Sequence, residues 1–123
     1  VQVRVGKEAL TLQEQGYLLA MDVFGQNGKQ APDGIIVLDD LMTTGILAAF
    51  QVLGIRLGKD AWLVTHTNTN SMVFLSAIPG ITVFESDPGE IVATLFALLD
   101  TLLAGQTPTF AQTKIPFRNC LKS

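Results

Sequence analysis

Two successive carboxylates, Asp39 and Asp40, follow the apolar run Ile35, Ile36, Val37 and Leu38. Carboxylates accept bidentate hydrogen bonds and hold hard cations, so this pair could bind a sugar hydroxyl, a metal ion or a phosphoribosyl group. A second polar group, His66, Thr67, Asn68, Thr69 and Asn70, closes the next apolar run, from Ala61 to Thr65, and offers hydroxyls and amides suited to a neutral polar ligand. Glu85 ends a third run, Ile81 to Phe84, in the same way. Each group also has a plainer explanation. Asp40 reads first as a helix cap, Asp39 stays open between a ligand contact and a solvated strand end, and Asn70 reads first as a turn former. His66 is the only histidine; a histidine metal cluster or a Ser/His/Asp triad has little to draw on, and a polar strand-end role is expected. With no credible nucleophile and base pair, neither catalysis, a metal nor a cofactor is expected.

These residues need elements to position them, and the sequence supplies an alternation of strand and helix signals. Pro32 and Gly34 open a strand whose unbroken apolar run predicts burial on both faces. A helix capped by Asp40 follows, with Met42, Ile46, Ala49, Phe50 and Leu53 at helical spacing and Gly54 as the stop. Upstream, Val1, Val3 and Val5 alternate as a short strand. Thr11 with Glu14 forms a capping-box signature, and Leu12, Gly16, Leu19, Ala20 and Val23 line the face of a helix ending near Gly25, before a polar loop. Downstream, a short helix is expected from about Ser71 to Ala77, closed by Pro79 and Gly80. Asp87, Pro88 and Glu90 make the strongest helix start, and Ile91, Leu95, Leu98, Leu99 and Leu102 predict a firmly docked helix ended by Gly105. Phe50, Phe74, Phe84 and Phe96 read as core, and Trp62 as packed or at an interface. The remainder, with two prolines and no helical period, reads as an extended crossover or edge strand. This order predicts an α/β fold: a three-layer, doubly wound, mainly parallel sheet with right-handed crossovers. Ligands of such sheets bind at the carboxyl ends of the strands, where Asp39, His66, Thr67, Asn68 and Glu85 are expected to converge.

Length and composition set the limits of this reading. With 123 residues and 48% hydrophobic content, the chain suits one domain with a real core. No apolar run approaches the roughly 20 residues of a membrane span, and no membrane partner is expected. The opening VQVRV reads as a strand without a lead-in, so a piece of a larger polypeptide is expected. A net charge of -3 with 8 scattered basic residues argues against nucleic-acid binding by this chain alone. The single cysteine, Cys120, excludes an internal disulfide and is compatible with a reducing compartment.

Several of these stretches, taken in order, resemble a known family. Gly16 and Tyr17 in a capped helix, then PDGIIVLDDLMTTGILAAFQVLGIRLGKDAWLV, then ITVFESDPGEIVATLFALLDTLLAGQTP, are similar to the effector-binding domain of LacI/GalR transcription regulators, which has a periplasmic-binding-protein type I-like fold. The resemblance covers nearly the whole chain but only the C-terminal one of that domain's two lobes. It implies that residues 1–105 form that lobe, and that 106–123 are a crossover tail belonging to the missing lobe or to a partner chain. It further implies a cytoplasmic sensor of a small-molecule effector, usually a sugar or nucleobase, and a homodimer. DNA would be contacted only through a helix-turn-helix absent from this chain. The ligand set implied is Asp39, Thr67, Asn68 and Glu85, with His66 and Thr11 beside them, and it departs from the family pattern. Asp39 stands where asparagine is usual, Thr67 and Asn68 replace a paired-aspartate turn, Thr11 replaces a stacking aromatic, and Glu85 stands where many members carry glutamine. The tail, without a partner strand in its own lobe, is expected to join a dimer through Phe110, Ile115, Phe117 and Leu121.

Two alternatives stand beside this one. IIVLDDLMTTG is also similar to the phosphoribosyl-pyrophosphate loop of phosphoribosyltransferases, with Asp39 and Asp40 on ribose hydroxyls and Thr43, Thr44 and Gly45 cradling phosphate at a helix N-terminus. A periplasmic sugar-binding protein would share the fold of the regulator domain.

Overall fold

Strand and helix signals alternate as expected in the computed structural model, which describes residues 10–25, 31–73, 75–108 and 113–122. The strand expected at Val1, Val3 and Val5, most of the polar loop after Gly25, Phe74 and Phe110 lie outside these residues. In chain order the elements are α1 (Leu12–Phe24), β1 (Gly34–Val37), α2 (Asp40–Leu53), β2 (Trp62–Asn68), a short 3-10 helix (Leu75–Ala77), β3 (Ile81–Ser86), α3 (Pro88–Leu103) and β4 (Asn119–Lys122). The described strands form one sheet in the order β1-β2-β3-β4. The first three are parallel, and β4 runs antiparallel to β3. The mainly parallel α/β architecture follows.

The core lies between one sheet face and the pair α1 and α2. Val37, Leu63, Ile81 and Val83 meet Ile46, Ala49 and Phe50 of α2 and Ala20 of α1, all buried. A buried hydrogen bond of 2.7 Å between the hydroxyls of Thr43 and Thr65 ties α2 to β2. Both helices approach closely because each carries a glycine at the crossing. A Cβ on Gly16 would stand 2.2 Å from the Met42 carbonyl oxygen, and one on Gly45 1.9 Å from that of Gln13. The buried face of α1 is therefore centred on Gly16 and Ala20, with Tyr17, Met21 and Phe24 packed beside them. Leu12 and Val23, expected on that face, are more than a third exposed.

The opposite sheet face overturns another expectation. β1 is not buried on both sides: Ile36 is 73% and Leu38 79% exposed, while Val37 is buried. Among the described residues β1 ends the sheet, and α1 and α2 cover one face only, so the period-two alternation of a strand splits the apolar run into an inner and an outer set. Trp62, on the outer face, is 61% exposed. α3 is likewise not firmly docked. It has no buried residue, and Leu95, Phe96 and Leu102 are more than half exposed, so Phe96 is not core. Only Glu90, Ile91, Thr94, Leu98 and Thr101 are half-buried, which is too narrow a stripe for the wide apolar face the helix carries.

Helix ends follow local chemistry closely. Thr11 and Glu14 complete their capping box, Gly54 closes α2 in the left-handed conformation at φ 70°, and Asp87 caps α3 through the amides of Gly89 and Glu90. The segment from Ser71 forms only the single 3-10 turn. The tail does find a partner strand in its own chain, contrary to expectation. Asn119 to Lys122 pair with Thr82 to Glu85, because β3 presents an edge that β4 satisfies.

Candidate functional site

At the carboxyl end of β1 the two aspartates exchange the roles expected of them. Asp39 is extended (φ -147°, ψ 129°) and caps α2, its Oδ1 accepting from the Met42 amide at 2.8 Å. Asp40 is the first helical residue, and its Oδ2 accepts from the hydroxyls of Thr67 at 2.6 Å and Ser71 at 2.8 Å. Burial pushes the Asp40 carboxyl upward, but the hydrogen bonds from Thr67 and Ser71, with backbone bonds, outweigh it and hold the group below the usual carboxylate range. Asp40 thus fastens the start of α2 to the end of β2 and to the loop beyond it.

The threonines that follow form no phosphate cradle. Thr43 is buried, donating to the Asp39 carbonyl at 2.8 Å, and Thr44 donates back to the Leu41 carbonyl at 2.6 Å. Gly45 is packed against α1. Residues 43–45 lie inside α2, so the phosphoribosyl-loop arrangement is overturned.

Beside the Asp40 anchor, a cavity of about 210 Å³ opens at the carboxyl ends of β2 and β3, lined by Thr67, Asn68, Asn70, Ser71, Val73, Leu75, Ser76, Val83 and Glu85. Thr67 and Glu85 are register partners and so share a face. Asn70 holds a left-handed turn at φ 62°, a conformation asparagine tolerates, and Ser71, Val73, Leu75 and Ser76 beyond it line the cavity. Glu85 is held from the tail: its Oε2 accepts from Asn119 Nδ2 at 2.8 Å, and its carbonyl accepts from the Arg118 amide at 2.7 Å. Arg118 in turn bridges Asp87 and Glu90 at the start of α3.

Thr67, Asn68 and Glu85 are therefore brought together, while Asp39 lies nearby as a helix cap. His66 and Thr11 are not at the cavity. His66 alternates to the other sheet face, where its Nε2 lies 2.6 Å from Ser86 Oγ and its ring 5.9 Å from that of Phe117. Thr11 is occupied as the N-cap of α1. Ser71, Ser76 and Asn119 were not expected at the site. Asn119 meets Glu85 from 34 residues away, which leaves no local trace in the sequence, whereas Ser71 follows Thr67 by one turn and reads equally as a helix start. A larger depression of about 460 Å³ between α1 and α2, lined by Leu10, Tyr17, Leu18 and Ala48 among others, is mainly apolar and shares no lining residue with the cavity at the strand ends. Among the described residues no group of three His, Cys, Asp or Glu could hold a metal ion, and no helix is long and apolar enough to cross a membrane.

Residues 2–121 match the family model of the periplasmic binding protein-like domain. No curated protein matches the chain. Solved structures do. A protein assigned as a LacI transcriptional regulator from Bacillus cereus subsp. cytotoxis superposes with a TM-score of 0.69 over 89% of this chain and 37% of its own, at 23% identity. One assigned to LacI-family repressors from Corynebacterium glutamicum gives 0.56 over 77% of this chain and 36% of its own, at 27% identity. A LacI family transcriptional regulator from Arthrobacter sp. FB24, in complex with lactose, gives 0.60 over 86% and 38%, at 24% identity. The chain thus spans little more than a third of each of these proteins.

Proposed function

The chain belongs to the family of periplasmic binding protein-like domains, and from that premise we propose that it is one lobe of the effector-sensing domain of a LacI-type transcriptional regulator. The observation that carries the proposal is the cavity of hydroxyls, amides and one carboxylate at the carboxyl ends of β2 and β3, where open α/β sheets hold their ligands. Thr67, Asn68 and Glu85 contact the effector, a sugar-like molecule; the lactose held by the Arthrobacter relative supports that class. Asp39 and Asp40 shape the rim. The protein is a cytoplasmic regulator and not an enzyme: it binds and releases its effector unchanged, and it contacts DNA only through a helix-turn-helix on a longer polypeptide. Residues 1–105 form the body of the lobe, and 106–123 are a crossover tail whose end returns as β4 beside β3.

A homodimer completes the reading. The exposed apolar residues of the outer sheet face and of α3 support association, whereas β4, already paired with β3, does not serve as a swapped strand.

Saturation-transfer NMR tests the proposal, because it detects the weak binding that a single lobe offers. Lactose, galactose and adenine are added to the chain and to the Thr67→Val/Asn68→Ala variant. Transfer to at least one of them, lost in the variant, is expected. Transfer that survives the variant, or a thermal stabilisation produced instead by phosphoribosyl pyrophosphate with magnesium, overturns it.

A further inference from the structure

The hydrogen-bond polarity of the cavity bears on what can enter it. Oδ2 of Asp40 takes the hydroxyl hydrogens of both Thr67 and Ser71. A hydroxyl has one hydrogen and two lone pairs, so toward a ligand these two oxygens can only accept. The Val73 amide already occupies one lone pair of Ser71 Oγ. Glu85, the register partner of Thr67, is also an acceptor, and Asn119 engages only its Oε2. Side-chain donors in the lining are confined to the amides of Asn68 and Asn70 and the hydroxyl of Ser76, and no lysine or arginine lines the cavity. Arg118, the tail cation next to Asn119, is engaged by Asp87 and Glu90. The wall formed by Thr67, Ser71 and Glu85 therefore presents acceptors with a negative charge, and no lysine or arginine in the lining compensates it.

Resting on the reading of this cavity as the effector site, we propose that it selects its ligand by hydrogen-bond polarity: the group that enters is a donor, a sugar hydroxyl or an ammonium, and anionic sugar phosphates are rejected. Asp40 is the positioning residue for this selection, since it turns two otherwise ambivalent hydroxyls into acceptors, and Glu85 makes the contact. A hydroxyl-rich sugar can donate to the Thr67 oxygen and to the Glu85 carboxylate together. A phosphate has only acceptors to offer against Thr67 and Ser71, and it sets a like charge against Glu85 with no lysine or arginine in the lining to offset it, which lowers affinity by about tenfold or more.

The test uses the full chain labelled with ¹⁵N and titrated with glucose, glucosamine and glucose 6-phosphate, following the backbone amides of Thr67 to Ser71 and of Glu85. Glucose and glucosamine are expected to displace these signals, the first reporting hydroxyl recognition and the second ammonium recognition. Glucose 6-phosphate is expected to need a concentration higher by about tenfold or more for the same displacement. In Glu85→Gln, which keeps the shape and replaces the charge with an amide donor, that gap should close to about twofold. The spectrum itself reports whether the variant is folded, and the wild-type comparison decides the matter if it is not. Glucose 6-phosphate binding as tightly as glucose overturns selection by polarity while leaving the site in place. A gap unchanged in folded Glu85→Gln overturns the part given to Glu85. Site amides that move with none of the three overturn the site and this inference together.

Discussion

Gly45→Ala puts the α1–α2 crossing to a quantitative test. In an exposed helix interior this change would stabilise by about 1 kcal/mol, because alanine restricts the unfolded backbone and favours the helix. Here the added methyl would stand 1.9 Å from the Gln13 carbonyl oxygen, 2.8 Å from its carbon and 2.9 Å from the Tyr17 amide nitrogen. All three are backbone atoms of α1, so no side chain can swing away. Relief requires the two helices to separate, and that loosens the packing of Ala20, Ile46 and Phe50 in the core. Overpacking of this kind costs typically 1–3 kcal/mol, and a rigid backbone contact belongs at about 3. Subtracting the helix gain leaves a net loss of about 2 kcal/mol, or a Tm lower by about 8 °C at roughly 4 °C per kcal/mol for a domain of this size. Urea and thermal unfolding followed by far-ultraviolet circular dichroism measure it, with Gly89→Ala as the near-neutral control, since a Cβ there meets only the Asp87 carboxylate oxygen at 3.2 Å. A Gly45→Ala chain as stable as the parent would mean that the helices do not cross at this distance, and the account of the core would fail with it.

Two further outcomes are expected. Leu63→Ala, at a site 1% exposed, should cost about 2–5 kcal/mol in urea unfolding, whereas Leu95→Ala, 58% exposed on α3, should cost less than about 1; equal costs would show that α3 is docked after all. Hydrogen bonds from the Arg56 side chain and backbone amide hold the exposed Asp60 carboxyl down to about 2. Its folded value lies below its unfolded one, so its contribution to stability is present above the ordinary value of 3.8 and fades as pH falls toward about 2. A carboxyl-carbon NMR titration should place its midpoint there in the parent and return it toward 3.8 in Arg56→Ala; an unshifted midpoint in the parent would refute the pairing.

What the sequence made legible follows the range of the interaction. Capping is settled within three residues, so Thr11 with Glu14, Asp87 with Pro88, and Gly54 are all readable in place. Asp39 and Asp40 are the instructive exception: both can cap, and the choice falls to backbone angles that neighbouring identities do not dictate. The run from Ile35 to Leu38 declares a strand but not how many layers will cover it, which depends on elements distant in sequence. The Asp40 bonds to Thr67 and Ser71 span 27 and 31 residues, and no local pattern announces them. His66 is different. Adjacent strand residues point to opposite faces, so assigning His66 and Thr67 to one cavity conflicts with a periodicity that the sequence itself displays.

The strands of this sheet stand side by side in the order in which they occur along the chain. As the polypeptide leaves the ribosome, each new strand therefore meets an edge that has already been made, and none of the described ones must wait for a partner not yet synthesised. Loop closures stay short, about one crossover each, so assembly can keep pace with synthesis. The cost falls on the growing edge. Between the completion of β3 and the arrival of β4, the sheet exposes a hydrophobic strand with unpaired amides and carbonyls for the time needed to translate α3 and the segment behind it, which makes that interval the one in which a nascent chain is most open to aggregation or chaperone capture.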